Sequence, residues 1–125
     1  MARTAIAYTP FVPNSHLTDV AGTTIDATLV TAGVVINSVN PERTLLRVTN
    51  TSGATKVITV KAGTGPQSWM AGSGDSATTV AATTGVEWLG PFTSARFQQQ
   101  GTKLYIDFAA GTTGTITVFK LPKAL

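Results

Sequence analysis

Residues Val86–Pro122 read VEWLGPFTSARFQQQGTKLYIDFAAGTTGTITVFKLP. Within this stretch Leu104, Ile106 and Phe108 fall on one face of an extended chain, and Lys103, Tyr105 and Asp107 on the other. A period of two marks a strand with one buried face. Ala110–Gly114 supplies a turn, Ile116 and Val118 resume the inner face, and Pro122 ends the pairing because it has no N–H to give a ladder. These residues predict a closing hairpin. Upstream, Val86–Leu89 predicts a strand stopped by Gly90-Pro91, a further strand runs through Ala95 and Phe97, and Gln98–Gly101 is a turn.

The same grammar holds towards the N-terminus. Thr44–Asn50 and Thr55–Lys61 predict another hairpin, with Leu46, Val48, Ile58 and Val60 facing inward and Asn50–Ala54 as the connector. Ile25–Thr31 predicts a strand with Ile25, Ala27 and Leu29 on one face; Val34–Asn37 and Thr79–Ala82 are shorter ones, and Asn40-Pro41 is a turn. Strands separated by turn signals about every ten residues, with no helical period, predict an all-β fold: an antiparallel β-sandwich of jelly-roll or Greek-key type. The expected domain is 21–125, preceded by an extended arm at 1–20 that the fold does not need. In the arm, Pro10 and Pro13 hold the chain extended, and Ile6, Tyr8, Phe11, Val12 and Leu17 recur without helical spacing. It is read as a contact to a neighbouring subunit, or as an ordinary first strand and loop.

The chain has 125 residues, enough for one domain. Charged residues make up 12%, against about 25% in ordinary domains, so part of the surface is expected to meet something other than bulk water. The balance is +3, and the basic residues are scattered, so no direct nucleic-acid contact is expected. There is no cysteine, which removes thiolate chemistry and disulfides. Neither a signal peptide nor a membrane span is predicted. Apolar residues also occupy positions that a one-sided sheet leaves wet: Leu45, Val57, Leu89, Phe119 and Leu121. Cover by the arm or by another subunit is expected there. In the glycine-rich loop 62–79, Trp69 and Met70 are expected to fold over a sheet edge or to meet a partner.

Catalytic patterns fail on inspection. His16 is the only histidine and lies in the arm, without the orienting third group that a base requires. The carboxylates Asp19, Asp26, Glu42, Asp75, Glu87 and Asp107 suggest no facing pair of the kind glycosidases use. Ala71–Asp75 offers calcium a single carboxylate, and Ala62–Gly65 lacks the Gly-Lys ending of a phosphate loop. The expectation is a protein that is not an enzyme and uses no metal or cofactor. Trp69, Trp88 and Tyr105 would make an aromatic platform for sugars, although Trp88 is expected in the core.

The run WLGPFTSARF at Trp88–Phe97, LYIDF at Leu104–Phe108, GTTGTITVF at Gly111–Phe119 and the segment Arg47–Gly63 together resemble small virion proteins of tailed bacteriophages. The resemblance spans roughly residues 20–122 and implies a head decoration, or cement, protein. It implies the major capsid protein as partner, a homo-oligomer with a trimer favoured, and a place on the head exterior after assembly in the host cytoplasm. A tail or head–tail junction protein and a carbohydrate-binding module remain alternatives.

Overall fold

Thr, Val and Ile crowd a helix but fit a pleated surface, and the chain forms many strands and little helix. The computed structural model describes residues 2–64 and 68–122. Its strands are β1 (Thr4–Ala5), β2 (Thr9–Pro10), β3 (Thr23–Ile25), β4 (Val34–Asn37), β5 (Thr44–Asn50), β6 (Lys56–Val60), β7 (Ser76–Val80), β8 (Gly85–Leu89), β9 (Lys103–Phe108) and β10 (Gly114–Lys120). Among the described residues helix is confined to α1 (Ala27–Ala32), the single turn α2 (Ser94–Phe97) and two short 3-10 turns. The fold is all-β. One sheet runs β1-β4-β9-β6-β7; the other runs β2-β10-β5-β8, with β3 on the start of β10. One cluster of buried side chains draws on both sheets: Val34, Ile36, Ile58, Val60, Leu104 and Ile106 from the first, and Leu46, Val48, Leu89, Ile116 and Val118 from the second.

The sheets are mixed rather than purely antiparallel, because β1 pairs parallel to β4 and β2 parallel to β10. The predicted hairpins are not hairpins either. β5 pairs with β10 and β8, whereas β6 pairs with β7 and β9. The connector Asn50–Ala54 therefore carries the chain from one sheet to the other, and Ala109–Thr113 does the same between β9 and β10. Both strands of each pair point apolar residues into the shared core, so their alternation is the same whether the second strand lies beside the first or opposite it.

Asn50 holds the first corner. Its side-chain amide donates to Ala54 O, Val80 O and Ala81 O, and its Oδ1 accepts from the Ser52 N–H and hydroxyl. At the second corner the Thr112 hydroxyl donates to Ala109 O, and Thr51 N–H donates to Thr113 O, joining the two corners.

Two predicted strands are helical. Past Ile25, Asp26 accepts from Leu29 N and caps α1, which buries Leu29 and ends at Gly33. The Asp cap outweighs the β-branched composition of this run. Ala95 and Phe97 lie in α2, where the Glu42 carboxylate accepts from Ser94 N at 2.8 Å. The strand predicted at Thr79–Ala82 is β7, shifted towards the N-terminus.

Candidate functional site

Alternation gives the second sheet an outer face bearing Leu45 and Arg47 from β5, Val86 and Trp88 from β8, and Phe119 from β10. The register sets Leu45 opposite Phe119 and Arg47 opposite Trp88. Leu46 and Leu89 pair on the inner face and are buried. This reverses two expectations. Leu89, expected on the outer face, is core; Trp88, expected in the core, is 55% exposed. β8 is apolar on both faces, so its alternation alone does not say which face is inside. Burying Leu89 against Leu46 turns Trp88 outward.

Trp88 reaches over β5 and stacks on Phe119, ring centroids 5.4 Å apart and planes 22° from parallel. Phe11 of the arm lies against the same ring, also at 5.4 Å. Between them they leave Phe119 only 3% exposed, so the expected cover comes from the chain's own arm and from Trp88. Phe11, Leu17, Asp19, Trp88 and Phe119 line a cleft of about 200 Å³. Leu45 and Leu121 are half-buried, as is Leu17, while Val12 and Val86 are exposed. The result is an aromatic ridge with one open indole, suited to apolar contact.

A second exposed indole lies in the loop before β7. Trp69 is 80% exposed and Met70 is exposed beside it; neither is folded into the body. The loop itself is tied down. Asp75 accepts from Ala62 N at 2.6 Å and from Lys61 Nζ at 2.9 Å, and Arg96 Nε donates to Gly74 O. The Ala62 N–H and the Lys61 ammonium hold the Asp75 carboxyl below its ordinary range, and Asp75 raises Lys61 in turn. At Glu42, burial pushes the carboxyl up, but the bonds from Ser94 outweigh it and leave the group below its usual range.

The arm lies along its own domain. β1 closes the edge of one sheet and β2 lies on the edge of the other, and Ile6 and Tyr8 pack against the core between them. Arg3 Nη1 sits 2.6 Å from Asp107 Oδ1 and donates to Ile106 O, and its guanidinium covers the Tyr105 ring at 4.3 Å. The Tyr8 hydroxyl shares a 2.7 Å hydrogen bond with Thr44 Oγ1 and accepts from Asn40 N. Residues missed by sequence reasoning include Arg3, whose role depends on a partner 104 positions away. Of the residues weighed for chemistry, Asp26, Glu42, Asp75 and Asp107 each serve a structural bond, and His16 is exposed in the segment between β2 and β3. Among the described residues no helix is long and apolar enough to cross a membrane.

No family model, curated protein or solved structure matches this chain.

Proposed function

We propose that the chain is a head decoration protein of a tailed bacteriophage. It binds the outer surface of the shell, bridges adjacent copies of the major capsid protein and stabilises the head against internal pressure. The observation that carries this reading is the ridge on the second sheet, where Trp88 stands more than half exposed on Phe119. Exposed aromatic residues on a rigid platform are the usual anchors of protein interfaces. The low charged fraction and the sequence resemblance at Arg47–Gly63 and Trp88–Phe119 support the same reading. Its architecture is proposed to be a β-sandwich of jelly-roll or Greek-key type, the two sheets sharing one core. Copies are proposed to act as homo-oligomers, a trimer being favoured, on the head exterior. About 800 Å² per partner is enough for a specific contact, and engaging two capsid subunits at once adds roughly a hundredfold through avidity.

Co-sedimentation with undecorated phage heads tests the reading. The wild-type chain is expected to pellet with heads, and Trp88→Ser to lose most of that binding while keeping its circular dichroism. Failure of the wild-type chain to pellet contradicts the proposal. A tail or head–tail junction protein predicts binding to tails or connectors instead. The sugar-binding alternative loses one of its aromatic faces, because Arg3 covers Tyr105.

A further inference from the structure

The arm is held by anchoring points that belong to the body of the domain, and every copy of the chain presents them. For Arg3 they are the Asp107 carboxylate, Ile106 O and the Tyr105 ring. Gly33 leaves room for the guanidinium, since a Cβ there would lie 2.3 Å from Arg3 Nη1. Phe11 rests on Phe119 of the body.

The link from arm to body is long for its task. β2 pairs with β10 at Phe119 and Lys120, and β3 pairs with the same strand at Gly114–Ile116. The chain leaves β2 at Pro10, opposite Lys120, and enters β3 at Thr23, opposite Ile116, so four residue steps of β10 separate these points, about 13 Å along a strand. Residues 12–22, beyond the anchored Phe11, join them and, extended, would reach about 36 Å, well beyond the roughly 14 Å radius of gyration of a domain of this size. The hydrogen bonds described for this link stay within it, from the Ser15 hydroxyl to His16 O. The link is also poorly seated. Beneath it, Thr117 is 4% exposed and its Oγ1 is buried with no hydrogen-bond partner among the described residues. Gly22 closes over that hydroxyl so tightly that a Cβ would lie 2.3 Å from it. Ile6, Thr9, Val20, Gly22 and Thr117 line a cavity of about 200 Å³ there.

We propose that the arm exchanges between copies, residues 2–11 of one chain occupying the Arg3, Tyr8 and Phe11 anchoring points of a second copy. The anchoring contacts are the same in either arrangement, which is the condition for domain swapping at low cost. What differs is the link. Lifting it from β10 returns Thr117 Oγ1 to water, and an unpaired buried hydroxyl is unfavourable. Against this stands the effective concentration of an arm tethered to its own domain, of millimolar order for a short flexible link. Exchange therefore prevails where copies are held together at comparable local concentration. It does not depend on what surface the assembled protein decorates.

The absence of cysteine makes a direct test available. Ala5 and Val35 are cross-strand partners in the β1/β4 pair. Ala5→Cys and Val35→Cys chains, differently tagged, are refolded together at millimolar concentration and oxidised. Exchange predicts a mixed disulfide dimer several-fold above the homodimers that each variant gives alone, and a lower yield when Thr117→Val is added. The Ala5→Cys/Val35→Cys double variant, oxidised at high dilution, reports closure within one chain. A mixed dimer no more abundant than the homodimers, with the double variant closing internally at every concentration, overturns the proposal. So does failure of both designs to crosslink while circular dichroism remains that of the parent.

Discussion

Asn50 and Thr117 show how single polar groups set the stability of this fold in opposite directions. Asn50 is buried, and its amide serves three carbonyls at the corner where the chain changes sheets. Asn50→Ala strips those carbonyls of their donor and is expected to cost about 2–3 kcal/mol, read as a lower urea midpoint with unchanged slope. Thr117→Val keeps the shape and removes an unpaired hydroxyl, and is expected to stabilise by about 1 kcal/mol. A neutral or destabilising Thr117→Val would mean that the hydroxyl finds a partner. Neither role is legible in the sequence. Asn50 reads there as ordinary turn chemistry and Thr117 as one more threonine in a strand, because both roles come from what the fold brings within reach.

At the scale of elements, the strands through Leu46, Val48, Ile58, Val60, Leu104, Ile106, Ile116 and Val118 are plain in the sequence, because inward alternation follows from burial. Their pairing is not. Alternation says which residues face a core and is silent on which sheet a strand joins, so two corners read as hairpins. The helix at Ala27–Ala32 was hidden for a different reason: its short apolar run suits either state, and the Asp26 cap decides. The exposed ridge is half legible: Phe119 stands at an outward position that needs cover, whereas β8 is apolar on both faces and its alternation alone allows Trp88 a place in the core. The loop bearing Trp69 has its own pH dependence. Asp75 is depressed, so its tether is present above its unfolded value of about 3.9 and is lost as pH falls through the folded value. Lys61 is raised, so its contribution is complete below about 10.4 and is lost as pH rises through the folded value. The pair is exposed and worth little globally, so the effect is local. The Ala62 amide resonance is expected to shift and lose exchange protection only as pH falls below the ordinary aspartate value of about 3.9 and through the lower folded value, and Asp75→Asn to abolish that titration.

The molecule as a whole is closed on one side and open on the other. The arm covers the β4 edge and part of the β10 edge and packs Ile6 and Tyr8 against the core, while among the described residues β7 and β8 each pair on one side only. The sequence suggested an arm that the fold does not need; these contacts give the opposite expectation. Removing residues 2–11 is expected to lower stability by at least about 2 kcal/mol, checked by denaturant unfolding. On the outer face, Trp88 and its neighbours form the ridge on which the proposed attachment rests. Cryo-electron microscopy of the tailed-phage particles proposed to carry this chain tests that attachment most directly. The account predicts repeated densities the size of this domain on the outside of the head, with the Trp88 ridge against the capsid lattice. A head exterior bare of such density would contradict it.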